Sequence, residues 1–104
     1  MSVDPMVALL AAVKNYLQIT WDDMETNTRL TELIYSGMLY LNGKLGETGD
    51  YAAPGYPRTL LMEYVRYARD GALDVFENNY RSMILAMQHE RMVEAYADAE
   101  TESV

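Results

Sequence analysis

Residues 30–46 read LTELIYSGMLYLNGKLG, and this stretch decides the class of fold. Its apolar residues recur three and four positions apart, which is the spacing of one face of a helix. They are Leu30, Leu33, Ile34, Met38 and Leu41. Gly37 lies among them, although a glycine in mid-helix costs about 1 kcal/mol relative to alanine. The pattern therefore predicts a buried helix that a second helix approaches closely at Gly37.

Capping signals set the two ends of this helix. The chain enters it through Trp21-Asp22-Asp23, and Asp22 with Glu25 three residues later has the spacing of a capping box. Two glycine pairs suit its C-terminus, Asn42-Gly43 and Leu45-Gly46, and either is a reasonable end.

A shorter helix precedes it. Asp4 is a good N-cap, and Pro5 suits the first helical position because its missing N–H has no partner to lose there. Apolar residues at three- and four-residue spacing continue to Leu17, so this first helix is expected to end near Leu17 or Gln18.

The second half of the chain predicts more helix. Residues 47–56 have no helical period and form a long loop, and a third helix is expected to begin at Pro57. Asp70-Gly71 is predicted to separate it from a fourth helix that starts near Ala72. The alternative is one continuous helix to Phe76, broken at Asn78-Asn79.

The last helix is expected to fray between His89 and Tyr96, with disorder beyond. No segment alternates as a strand does. The predicted fold is all-α: a compact bundle of three to four helices with a long loop between helices 2 and 3. It comprises a single helical domain over residues 1–96 and a flexible acidic tail over residues 97–104.

Composition narrows the functional classes. The net charge is −8, with 16 acidic and 8 basic residues, which disfavours binding to nucleic-acid phosphates and to anionic membranes. The chain has 9 tyrosines and 8 methionines, residue types that suit half-buried contacts between subunits. No signal peptide is recognisable, and the apolar run from Met6 to Val13 is too short to span a bilayer.

The sequence offers no set of catalytic residues. It has no cysteine and one histidine, His89, so neither a thiolate metal site nor a HExxH zinc motif is possible. Asp22 and Asp23 stand where a helix starts and are better explained as caps than as metal ligands. The expectation is a protein that is not an enzyme, with no catalytic, cofactor-binding or metal-binding residues.

Three stretches together resemble a known family. Residues 10–23 (LAAVKNYLQITWDD), 33–46 (LIYSGMLYLNGKLG) and 60–88 (LLMEYVRYARDGALDVFENNYRSMILAMQ) are similar, in order and spacing, to the small all-helical class of phage head–tail connector (adaptor) proteins. Each stretch alone is a commonplace amphipathic helix. The family often has a polar or aromatic residue where this chain has Asp70-Gly71, which leaves the break between helices 3 and 4 open.

The resemblance implies structural work in a phage or prophage virion at the head–tail interface, after assembly in the host cytoplasm. Such subunits form a ring, typically of twelve copies, beneath the portal protein, and extend the DNA channel toward a stopper or tail-completion protein. An acidic channel lining would let DNA pass without binding it, since it offers phosphates no cation. No cofactor and no membrane contact are expected.

Eight residues are the candidate contacts. The loop tyrosines Tyr51 and Tyr56 are expected to face the channel or the next tail component, and the tail after His89 is expected to reach the portal. The tail candidates are Arg91, Glu94 and Tyr96. Tyr35, Tyr40 and Tyr67 lie off the apolar stripes and are candidates for contacts with neighbouring subunits.

Two other classes compete with this interpretation. A small acidic protein–protein binding module, regulatory or antitoxin-like, would act as a twofold dimer and ignore a portal. A carboxylate-bridged metal enzyme in a helical bundle needs two Glu-x-x-His pairs, which one histidine cannot supply.

Overall fold

The computed structural model describes residues 4–102, with side chains described as far as Ala99. Over this range the chain is all-helical and contains no strand, which confirms the predicted class. The helices are α1 Pro5–Tyr16, α2 Met24–Leu45, α3 Tyr56–Arg69, α4 Leu73–Asn79 and α5 Arg81–Glu102. The predicted number of three to four helices is therefore too low.

Helix α1 begins and ends as its sequence predicts. The Asp4 carboxylate accepts a hydrogen bond from the Met6 N–H at 2.9 Å, and Pro5 is the first helical residue. The helix ends at Tyr16 with Leu17 as its C-cap. Gln18 then takes a left-handed conformation (φ +60), and this turn leads the chain to the buried side chain of Ile19.

The start of α2 differs from the prediction. Asp23, not Asp22, is the N-cap, and its carboxylate accepts from the Thr26 N–H at 2.8 Å. Asp22 instead forms an ion pair with Lys14 of α1 at 3.1 Å, so the predicted capping box is wrong. A tertiary partner has taken the side chain that local spacing assigned to the cap. At the other end, Gly46 (φ +77) closes the helix, which is the later of the two predicted ends.

The predicted close approach at Gly37 is confirmed. A Cβ atom at this position would lie 2.7 Å from Leu61 Cδ1 and 2.8 Å from Tyr64 Cδ1, both on α3. Distances this short are not tolerated between carbon atoms in a packed interior. Only glycine lets α2 and α3 cross at this separation, and the crossing holds Leu60, Leu61 and Val65 inside the core.

The helical structure is interrupted twice between α3 and α5. Gly71 (φ +70) follows the end of α3, as predicted, although α3 itself begins at Tyr56, one residue before the expected Pro57. A second break at Tyr80 separates α4 from α5, so the single last helix expected from Ala72 is wrong. The short α4 that results carries Phe76, 2% exposed, into the core between four tyrosine rings.

Helix α5 is longer than its sequence suggested. It continues through Glu102, so the expected fraying between His89 and Tyr96 is wrong. Residues 94–102 are mostly alanine and glutamate, which are strong helix formers. The predicted tail, residues 97–104, is thus helical as far as Glu102, and Ser103 and Val104 lie outside the described residues.

The hydrophobic core ends before α5 does. The last buried side chain is Met87, and the core to which it belongs contains residues from all five helices and from the loop. Beyond it the described side chains of α5 are exposed or at most half-buried. The C-terminal half of α5 therefore extends past the core, consistent with the elongated dimensions of 53 × 40 × 18 Å.

The two glycines of α2 give a matched test of the crossing. Gly37→Ala should lower the free energy of unfolding by about 1 kcal/mol or more, because the overpacking outweighs the gain in helix propensity. Gly43→Ala is the control: nothing lies within 4 Å of its added Cβ, so it should raise the stability by about 0.5–1 kcal/mol. Urea denaturation measures both, and equal stabilisation by the two variants would contradict the close crossing.

Candidate interaction surfaces

The loop between α2 and α3 is anchored from within. The Tyr51 side chain is 3% exposed, and its hydroxyl donates to Asn42 Oδ1 at 2.7 Å. The same Asn42 oxygen accepts from the Gly49 N–H at 2.9 Å. Burial raises the pKa of Tyr51 to about 12. Tyr51 thus holds the loop against α2, and its side chain is not offered at the surface.

The backbone of this loop is also tied down. The Asp50 carboxylate accepts from the N–H groups of Ala52 and Ala53 at 3.0 and 3.3 Å. From α3, Arg58 Nη1 donates to the carbonyls of Tyr51 and Ala52 at 3.0 and 3.2 Å. The loop is consequently a shaped surface rather than a loose connection.

Two of the predicted contact residues lie where α5 faces the loop. Arg91 is half-buried and forms an ion pair with Glu47. Glu94, one helical turn on, is exposed and lines a groove between α5 and the loop. The other loop candidate, Tyr56, is half-buried against the core as the first residue of α3. Arg91 therefore has a structural role within the subunit, while Glu94 is accessible.

Tyr40 and Tyr67 belong to an aromatic cluster, which comprises Phe76 with Tyr40, Tyr64, Tyr67 and Tyr80. Their ring centroids lie 5.0–6.0 Å from Phe76, mostly edge-to-face, a favourable geometry for aromatic rings. Both were expected to be exposed, but both are half-buried. The helical periodicity of α2 or α3 alone does not predict the burial of these two tyrosines, because the cluster is completed by Phe76 on α4.

Polar groups at the edge of the cluster fix the helices in place. The Tyr40 hydroxyl donates to Glu77 Oε1 at 2.9 Å, and Lys44 pairs with the same carboxylate. Burial, with this hydrogen bond, raises the pKa of Tyr40 to about 12. Hydrogen bonds from Lys44 and Tyr40 lower the pKa of Glu77. The cluster is therefore an internal feature that joins α2 to α4.

A second polar link joins α1 to α3. The Tyr16 hydroxyl donates to Glu63 Oε1 at 2.9 Å, and Arg66 pairs with the other oxygen. Burial acts to raise the pKa of Glu63, but the hydrogen bonds from Arg66 and Tyr16 outweigh it and the pKa is lowered. Glu63 thus partly neutralises Arg66 within the subunit and links α3 to α1.

Helix α2 presents an apolar face to solvent. Met24 is 84% exposed and Leu39 75% exposed, and the predicted contact residue Tyr35 lies between them on the same face. Part of this face is a shallow groove of about 540 Å³ between Asp22 and Tyr35. We call Met24, Thr28, Glu32, Tyr35 and Leu39 the α2 outer stripe.

Helix α5 presents another. Met92 is 66% and Tyr96 68% exposed, and Leu85 is exposed on the same side of the helix. We call Leu85, His89, Met92 and Tyr96 the α5 outer stripe. Acidic residues follow one another at four-residue spacing on a different face of the same helix: Glu90, Glu94 and Asp98. The projecting half of α5 is therefore amphipathic, and its apolar side has no partner within the described chain.

Two of the residues on these stripes were predicted from the sequence as contacts, Tyr35 because it lies off the apolar stripe of its helix and Tyr96 because it lies in the tail. Leu39, Met24, Leu85 and Met92 were missed. The missed residues are aliphatic, and their hydrophobicity alone does not distinguish them from core residues. A signal was present: Leu39 and Met92 stand outside the three–four pattern that defines the buried face of each helix.

The described residues form neither a cluster of metal ligands nor a membrane-spanning helix. No three acidic or histidine side chains of residues 4–99 come together as metal ligands. Across the described helices, none is long and apolar enough to cross a membrane. No protein-family model, curated protein or solved structure matches this chain significantly.

The anchoring role of Tyr51 can be tested by removing its hydroxyl. Tyr51→Phe should lower the free energy of unfolding by about 1 kcal/mol at neutral pH, since Asn42 loses a buried hydrogen bond. A pKa raised to about 12 in the folded state contributes stability that is lost as the pH rises from about 10 to about 12. The variant should therefore lose less stability over that range, as measured by urea denaturation.

Tyr35→Phe is the matched control, because the Tyr35 side chain is exposed on α2. It should change the stability by less than about 0.5 kcal/mol at neutral pH. If the two variants behaved alike, Tyr51 would not anchor the loop.

Proposed function

We propose that this chain is a head–tail connector (adaptor) subunit of a tailed phage or prophage, which assembles into a ring beneath the portal and extends the DNA channel toward the tail. The single observation that carries the proposal is the exposure of apolar side chains on two separate helices, α2 and α5. A subunit in a ring has a neighbour on each side, and two different apolar surfaces serve two neighbours.

The sequence resemblance supports the same function. The three similar stretches, residues 10–23, 33–46 and 60–88, cover the α1–α2 junction, the crossing part of α2, and α3 to the middle of α5. They include most of the buried core residues and the whole aromatic cluster, while the core residues Leu9, Leu30 and Tyr51 lie outside them. The resemblance thus concerns the framework of the subunit, as expected of a structural protein.

The acidic row on α5 suits a channel that DNA must traverse. Glu90, Glu94 and Asp98 share a face that is free of lysine and arginine apart from Arg91, which is paired with Glu47. Such a face repels phosphates and gives DNA no place to bind. In this proposal the row faces the lumen and the end of α5 reaches toward the portal, while the anchored loop faces the channel or the next tail component.

The proposal is tested by the mass of the purified protein in solution, measured by light scattering over a range of concentrations, with and without the cognate portal protein. A ring-sized oligomer, or a monomer that becomes ring-sized only with portal, is expected. A stable dimer that ignores the portal would favour the regulatory, antitoxin-like module instead.

The end of α5 can be removed without touching the core, whose last buried side chain is Met87. Deleting residues 97–104 should leave the thermal unfolding midpoint nearly unchanged but weaken portal binding by about tenfold or more, because terminal contacts are lost. Calorimetry and a binding titration measure the two effects. Unchanged affinity would mean that the portal is bound through another part of the subunit.

A further inference from the structure

We infer that the α5 outer stripe of one subunit packs against the α2 outer stripe of the next copy of this chain, and that this heterologous helix pair is the ring contact. The inference rests on the proposed connector function and identifies the surfaces that it needs. The argument uses the spacing, the exposure and the charge of the two stripes.

The α5 outer stripe has the spacing of a helix-pairing seam. Leu85, His89, Met92 and Tyr96 follow one another at intervals of four, three and four residues. This is the repeat that keeps one line of side chains facing a partner helix over several turns. Three of the four are large apolar residues that are exposed on this subunit. A partner helix along this line would bury them together.

The α2 outer stripe has the same spacing. Thr28, Glu32, Tyr35 and Leu39 are also separated by four, three and four residues, and Met24 extends the line by one turn. At 1.5 Å per residue, the seams of α2 and α5 are each about 16 Å long. Two seams of equal length and period can interlock side chain by side chain.

The charges of the two seams favour unlike partners. The α2 stripe carries Glu32, is flanked by Glu25 and starts beside Asp22 and Asp23. Along the α5 stripe there is no acid, and Arg81 lies one turn before Leu85 on the same side. Two α2 stripes would bring carboxylates together, whereas α2 against α5 places carboxylates near a guanidinium. The contact is therefore expected between different surfaces, which is the kind that generates rings.

The acidic row gives an independent reason for a partner on α5. Glu90, Glu94 and Asp98 are like charges four residues apart, and each such pair destabilises an isolated helix by a few tenths of a kcal/mol. The projecting half of α5 also makes few core contacts beyond Met87 to offset this. Packing of its apolar side against a neighbour supplies the missing stabilisation.

Cysteine cross-linking tests the pairing, because the chain has no native cysteine. Leu39→Cys and Met92→Cys are prepared separately, mixed, and treated with a flexible bismaleimide under conditions where light scattering shows assembly. The mixture should give about tenfold more covalent dimer than either variant alone, since each variant offers only one side of the contact. A mixture of Val7→Cys with Met92→Cys is the control, because Val7 is exposed on α1, a helix that carries neither stripe.

The outcomes separate the inference from the proposed function. Dimers from Met92→Cys alone, at the yield of the mixture, would show a twofold contact through α5 and overturn the inference. Ring-sized particles without the Leu39–Met92 link would also overturn it, while leaving the connector function intact. A protein that stays monomeric with and without cognate portal would overturn both.

A second pair of variants tests the α5 outer stripe without cross-linking. Met92→Glu places a charge on the α5 outer stripe and should raise the concentration needed for assembly by about tenfold or more. Val7→Glu makes the same change at an exposed position outside the stripes and should leave assembly unchanged. Circular dichroism must show that both variants remain folded, and equal effects of the two would exclude a specific α5 seam.

Discussion

The close crossing of α2 and α3 at Gly37 is the constraint on which the rest of the subunit depends. Because no Cβ separates the helices there, Leu61 and Tyr64 of α3 lie directly against the α2 backbone. That approach places the ring centroids of Tyr64 and Tyr40 5.7 Å apart, and the ring of Phe76 packs against both. Phe76 can reach these rings only because the chain breaks on both sides of the short α4. Helix α5 then closes the core with Ile84 and Met87 and leaves the rest of its length outside.

Much of this framework could be predicted from local sequence, because its determinants are local. The Asp4 cap with Pro5, the Gly46 terminus and the break at Gly71 each follow from the conformational preferences of one or two residues. Gly37 could be identified because a glycine inside an apolar stripe needs a reason. The sequence predictions were wrong where a contact with another helix, rather than the local sequence, determines the structure. Lys14 draws Asp22 away from the cap position, and the fit of Phe76 among four tyrosines requires a break at Tyr80 that no glycine or proline marks.

The candidate contact residues likewise fall into two groups, those buried by tertiary contacts and those that remain exposed. Tyrosine is amphipathic, so the large number of tyrosines in the chain suggested contacts between subunits. Tyr40, Tyr51 and Tyr67, however, form hydrogen bonds and ring contacts within the subunit. Tyr35 and Tyr96 remain at the surface because they stand outside the face that each helix buries. The exposed aliphatic residues beside them were not predicted, since hydrophobicity alone does not separate an exposed leucine or methionine from a buried one. The candidate interface residues of α2 and α5 therefore form a second stripe on each helix, offset from the buried one.

In the proposed ring, the length of α5 links the stability of the subunit to its assembly. A domain of about 100 residues buries a modest fraction of its surface, so a helix that projects beyond the core gains little from it. The part of α5 beyond Met87 is short, and an isolated helix of that length with acids four residues apart is marginal in water. The apolar stripe on the other side of α5 thus exposes hydrophobic surface without stabilising the monomer, and in the proposed ring the neighbouring subunit covers it. Because the stripe and the acidic row occupy different faces, one helix can meet a neighbour on one side and repel phosphates on the other.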